Sequence, residues 1–122
     1  MDKRPKTIFI DIDGTILEHP GIRTDATKTY AQTEILPGVI DKFNEWDKKG
    51  YKIILVTGRR ESDRYITEKQ LEYYGIFYDQ LIMGITGGER VLINDTKPTK
   101  KLIPTAVAIT VERNKGLKSI II

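Results

Sequence analysis

The sequence predicts an α/β fold, a parallel sheet with helices packed on it, and three observations carry that reading. Short apolar runs rich in β-branched residues recur at Lys6–Ile10, Tyr51–Val56, Gln80–Met83, Val91–Ile93 and Ala106–Ile109. Segments with helical spacing separate the first three runs. Several runs then stop on polar residues, as strands do when their carboxyl ends form a ligand-binding edge.

The first run, Lys6-Thr7-Ile8-Phe9-Ile10, leads directly into Asp11-Ile12-Asp13-Gly14-Thr15, two carboxylates spaced i and i+2 ahead of a glycine. Residues 16 to 35 hold Pro20, Gly21 and many Thr, Asp and Lys with no sustained period, so they read as a long loop and a candidate flap over the carboxylates. The lone His19 falls in it and is read as a solvated side chain before a catalyst. Pro37-Gly38 then opens a segment whose apolar residues Val39, Ile40, Phe43 and Trp46 share one helical face, with Gly50 as its stop signal. The second strand ends at Thr57-Gly58-Arg59-Arg60. A strand, helix, strand order implies a right-handed parallel crossover, which puts Thr57 on the same sheet edge as Asp11.

Residues 61 to 74 read as a second helix, capped by Ser62 or Asp63 and terminated by Gly75. Tyr73, Tyr74 and Tyr78 crowd its end and read as packing surface rather than a stacking platform. After the third strand comes the glycine-rich Gly84–Arg90, then the fourth strand ending on Asn94-Asp95. Residues 96 to 104 are basic and hold two prolines, a loop; the fifth strand and a turn at Glu112–Gly116 follow. The final Ser119-Ile120-Ile121-Ile122 suggests an added strand, a subunit contact or a chain cut short.

Length and composition bound the rest. With 122 residues the expectation is one domain over residues 1–122 with one core. A charged fraction of 30% against 39% hydrophobic residues speaks against a disordered or membrane chain. The net charge of +3 is spread with no block of five basic residues, so no nucleic-acid partner and no membrane partner is expected, and anionic small molecules fit better. There is no cysteine, which excludes disulfides and thiolate metal sites. The start of the chain has no apolar leader-like run, and a cytoplasmic location is expected.

Three strands thus deliver Asp11 and Asp13, Thr57, and Asn94 with Asp95 to one edge. Hard cations such as Mg²⁺ take oxygen ligands and pair with one or two carboxylates plus a substrate phosphate. Clustered carboxylates raise one another's pKa, a penalty that a bound cation removes. A carboxylate can act as a nucleophile, a second can exchange protons with the leaving group, and N–H groups around Gly14 with the Thr57 hydroxyl can hold phosphoryl oxygens.

Asp11-Ile12-Asp13-Gly14-Thr15, Val56-Thr57-Gly58-Arg59 and Ile93-Asn94-Asp95 resemble the first, second and fourth motifs of the haloacid dehalogenase (HAD) superfamily of phosphohydrolases, over roughly Lys6 to Ile109. The resemblance implies a Rossmann-like parallel sheet in the order 5-4-1-2-3. It implies Asp11 as nucleophile and Asp13 as general acid/base with its backbone carbonyl on Mg²⁺. Asp95 becomes a further metal ligand, and Thr57, with Gly14 and Gly58, contacts the phosphate. No room remains between the first two motifs for a cap domain, so the capless members are the better match.

One family feature is absent. HAD enzymes carry a lysine at a helix start before the fourth strand, whereas only seven residues, Gly84–Arg90, separate the third and fourth strands here. In the implied order those seven must span about 20 Å of an available ~24 Å, which puts Arg90 at the far end of the sheet. Lys97 is the first substitute expected to bind phosphate, with Arg59 or Arg60 next. The lost helix leaves one sheet face short of cover, and a homo-oligomer is expected to bury it. The function expected is a Mg²⁺-dependent phosphomonoester hydrolase working through an aspartyl-phosphate on a small phosphosugar or related metabolite. The alternative is a catalytically weak or inactive phosphate-binding or assembly protein on the same scaffold.

Overall fold

The computed structural model describes residues 3–22, 29–97 and 101–122. Strand β1 (Thr7–Asp11) pairs in parallel with β2 (Lys52–Val56), Asp11 standing opposite Val56. β2 pairs in parallel with β3 (Gln80–Ile82), giving the order β1-β2-β3. Helix α1 (Val39–Lys48) connects β1 to β2, and α2 (Arg64–Tyr73), entered through a 3-10 turn at Glu61–Asp63, connects β2 to β3.

One face of the sheet is the core. Ile8, Ile10, Ile53, Leu55 and Leu81 pack in a single cluster with Val39, Phe43 and Trp46 of α1 and Leu71 of α2. These residues alternate along the strands and recur at helical spacing, so both helices bury their apolar stripes on the same side. Each fully buried large aliphatic side chain stabilises the fold by about 1.5–3 kcal/mol. The opposite face carries Phe9 and Ile82, 55% and 40% exposed.

The stretch expected to be a loop is tied at its base. Ile16 and Leu17 are fully buried, Leu17 bridges Ile35, and the Leu36 N–H donates to the Ile16 carbonyl. It carries 3-10 turns at Pro20–Ile22 and Tyr30–Gln32, and the remainder of the candidate flap, residues 23–28, lies outside the described residues.

The chain after β3 departs from expectation. Val91-Leu92-Ile93 and Ala106–Ile109 form no strand, and Val91 and Ile93 are 74% and 88% exposed. The only pairing described beyond β3 is a two-stranded antiparallel ribbon of β4 (Thr96–Lys97) and β5 (Ile103–Pro104). The cause lies in the short connection. The Gly84 N–H donates to the Arg59 carbonyl and the Ile85 N–H to the Thr57 carbonyl, holding the segment over the end of β2. It does not run back along the sheet to start a strand beside β1.

The last residues return to the domain. Leu117 is buried in the core and its N–H donates to the Pro37 carbonyl. This contact needs Gly116, whose φ of +84° and position against the Pro37 backbone exclude a Cβ. Asn114 donates its N–H to the Gly14 carbonyl at 2.8 Å, and its side chain brackets His19, accepting from its N–H and donating to its carbonyl. The tail therefore clamps the turn that follows the carboxylates.

Candidate active site

Asp11 closes β1 at the carboxyl edge of the sheet and Asp13 follows on the turn. The turn is built by Ile12, whose carbonyl accepts from the N–H groups of Thr15, Ile16 and Leu17, with Gly14 at φ +92°. The Gly14 N–H donates to the Leu17 carbonyl at 2.6 Å, so this donor, expected to face a phosphate, is engaged inside its own turn.

Asp11 is half-buried, and its Oδ1 stands 3.7 Å from Nη2 of Arg90. Burial pushes its carboxyl up from the usual carboxylate value, while Arg90 and a hydrogen bond from the Ile12 N–H pull the other way. The position of Arg90 corrects the expectation that it sits at the far end of the sheet. Because the Gly84–Arg90 segment stays at the carboxyl edge, the cation it carries reaches Asp11. Both partners are about half-exposed, so the pair adds little stability, about 0–1 kcal/mol, and its significance is positional.

Asp13 has a different partner. Arg59 Nε donates to its Oδ2 at 3.0 Å and Arg59 Nη2 to its Oδ1 at 2.8 Å, a bidentate pair in which the arginine side chain is 3% exposed. Arg59 is therefore committed to Asp13 and does not face Asp11. Thr57 is buried, accepts the Arg59 N–H at its hydroxyl oxygen and keeps its own hydroxyl proton for another acceptor. Gly58 is exposed beside it, its Cα facing the Ile85 carbonyl.

The remaining expected site residues are not brought here. Lys97 lies in the ribbon in register with Ile103, and no contact among the described residues joins it to Asp11. Asp95 precedes the ribbon, exposed, its carbonyl accepting from the Thr105 hydroxyl. Among the described residues no group of three or more His, Asp or Glu side chains gathers to hold a metal ion. The physical reason is again the missing fourth strand, which was to carry Asp95 to the edge. A hard cation nevertheless suits the donors that remain: the Asp11 carboxylate and the Asp13 main-chain carbonyl are oxygen ligands, while Arg59 takes one lone pair on each Asp13 carboxylate oxygen and leaves the outer pairs for proton exchange.

Sequence reasoning weighed Arg90 and set it aside at the far end of the sheet, and it did not single out Gln70 or Thr67. Gln70 and Thr67 are polar residues on the buried side of α2, and a polar residue inside an apolar helical stripe is the signal that would have marked them.

The described residues include no helix long and apolar enough to cross a membrane. The family model of HAD superfamily subfamily IIIB (acid phosphatase) matches residues 1–108. Two solved structures of the Pnkp1/Rnl/Hen1 complex, one described as an RNA repair complex, contain similar chains. The identities are 33% and 34%, both TM-scores are 0.55, and 71% and 70% of this chain is covered. This chain spans 30% and 28% of the length of those chains. A crystal structure of a structural-genomics target from Vibrio cholerae is similar at 21% identity, a TM-score of 0.52 and coverage of 74% of this chain and 80% of that one, a likeness of fold alone. No curated protein matches. The parallel sheet with helices, the paired carboxylates at the end of β1 and the family match over residues 1–108 together place this chain in the HAD superfamily, subfamily IIIB, the acid phosphatase family.

Proposed function

We propose that this chain is a Mg²⁺-dependent phosphomonoester hydrolase that works through an aspartyl-phosphate on Asp11. The observation that supports it best is Asp11 at the carboxyl end of β1, facing the Arg90 guanidinium at 3.7 Å. In this reading an Asp11 carboxylate oxygen attacks phosphorus, the bond from phosphorus to the ester oxygen breaks with its electron pair on oxygen, and Asp13 gives that oxygen a proton. Water then attacks the phosphoryl group, Asp13 takes its proton, and Asp11 is released. Arg90 holds the equatorial phosphoryl oxygens, the duty first assigned to Lys97, and the Thr57 hydroxyl donates to another. The Asp11 carboxylate and the Asp13 carbonyl would hold Mg²⁺, which when bound would supply positive charge against the charge developing on the phosphoryl group.

The finer architecture is a separate proposal: a capless domain in which the Val91–Ile93 and Ala106–Ile109 runs, unpaired here, complete the order 5-4-1-2-3, an arrangement that would take Arg90 away from Asp11 and leave the phosphate to Lys97. The exposed apolar side chains of Val91, Leu92 and Ile93 and the exposed Phe9 support it, and a parallel fourth strand beside β1 would bring Asp95 to the metal. The same exposed face supports a homo-oligomer, and light scattering that finds a monodisperse monomer refutes it.

The substrate proposed is a small phosphosugar or related metabolite, turned over in the cytoplasm. A phosphate borne by RNA is a second reading, supported by the 33–34% identity to chains of the RNA repair complex. A panel of sugar phosphates and 3′- or 5′-phosphorylated oligonucleotides, assayed with and without Mg²⁺, separates the two. Asp11→Asn should abolish turnover with the fold intact; unchanged turnover removes the aspartyl-phosphate, and no metal-dependent turnover on any ester favours a phosphate-binding protein.

A further inference from the structure

The guanidinium of Arg59 carries five N–H donors, and each has an acceptor within the protein. Nε and Nη2 hold the two oxygens of Asp13. Nη1 donates to Thr67 Oγ1 at 3.1 Å and to Gln70 Oε1 at 2.8 Å, both on α2. The remaining Nη2 proton meets the Tyr30 carbonyl at 3.5 Å, and the Tyr30 ring centre lies 5.2 Å from Cζ. Gln70 is fixed in turn, its amide donating to the carbonyls of Tyr30 and Thr33 at 2.9 and 3.0 Å.

We infer that Arg59 is a positioning residue for phosphoryl transfer: with Thr67 and Gln70 of α2 it fixes the direction in which Asp13 presents its carboxylate. The inference rests on the roles proposed above for Asp11 and Asp13. A guanidinium with every donor engaged and 3% exposure has nothing left for a phosphate without breaking its own bonds. Its planar fork sets the plane of the carboxylate it grips. The lone pairs facing Arg59 are occupied, so a proton exchanged with the ester oxygen travels on the outer pair of one oxygen, whose direction the guanidinium dictates. A lysine cannot reproduce this, because one ammonium cannot grip both Asp13 oxygens and reach α2 as well.

The test compares two esters of similar shape. p-Nitrophenolate leaves as a stable anion with little need of a proton, whereas phenolate depends on one. kcat/KM reports the steps through loss of the leaving group. Arg59→Lys should lower kcat/KM on phenyl phosphate about 100-fold and on p-nitrophenyl phosphate by less than about 5-fold. Thr67→Val, which removes one acceptor and keeps the volume, should show the same bias at about 5-fold on phenyl phosphate. An equal fall on both esters, or no fall on either, overturns the inference while leaving the hydrolase reading in place. If the unaltered protein turns over neither ester with Mg²⁺, the hydrolase reading itself fails and the inference goes with it.

Discussion

Removing the Asp13 side chain should unfold this protein more readily than it would at a typical surface aspartate, and the size of the effect follows from its partner. Arg59 is 3% exposed and Asp13 12%, so Asp13→Ala leaves a buried guanidinium with two donors unmet. Breaking a buried pair by deleting one partner costs roughly 3–5 kcal/mol. Water can enter from the partly open Asp13 side, which sets the expectation at the low end, about 3 kcal/mol. With an unfolding entropy of about 2.1 cal/mol/K per residue, a chain of this length has about 0.26 kcal/mol/K, and the midpoint should fall by about 12 °C. Calorimetry or thermal circular dichroism reads this directly. Asp13→Asn, which keeps one acceptor oxygen, should lose less. The double variant Asp13→Ala with Arg59→Met should recover part of the loss, since no charge is then left unpaired. A fall of under about 2 °C for Asp13→Ala would refute the reasoning, because it would mean that solvent or other groups already satisfy Arg59.

Two other perturbations follow from the same structure. Asp11 has its carboxyl raised in the folded protein by burial, so the fold binds the proton more tightly than the unfolded chain and loses stability as pH rises above the ordinary value near 3.8. In chelator, Asp11→Asn should therefore melt above the parent at pH 7, with the gap closing toward pH 4; a constant or negative gap contradicts this. Gly116→Ala forces a Cβ onto the Pro37 backbone at a left-handed φ and should cost about 3 kcal/mol, read as a lower urea midpoint at unchanged slope. Gly87→Ala, with nothing within 4 Å, is its control and should stay close to the parent.

Much of the first two thirds of the chain is legible because local pattern and tertiary outcome agree there. The apolar runs ending at Asp11, Val56 and Ile82 are strands, and the stripe Val39, Phe43, Trp46 is the buried face of α1. Parallel crossovers then oblige Asp11 and Thr57 to share an edge. The same logic fails at Val91–Ile93. A run of three apolar residues states only that it would be stable if paired, and whether it pairs depends on where the preceding seven residues go.

That route is decided by backbone hydrogen bonds from Gly84 and Ile85 to Arg59 and Thr57, which no local pattern encodes. So the sequence by itself determined the parallel α/β arrangement, the nucleophile candidate and its neighbour, since these rest on periodicity and on motif residues adjacent in the chain. Only the tertiary structure decided which cation meets which carboxylate. Arg90 and Arg59 stand 79 and 46 residues from their partners, Asp11 and Asp13, and charges that distant in the chain are matched by the path of the backbone between them.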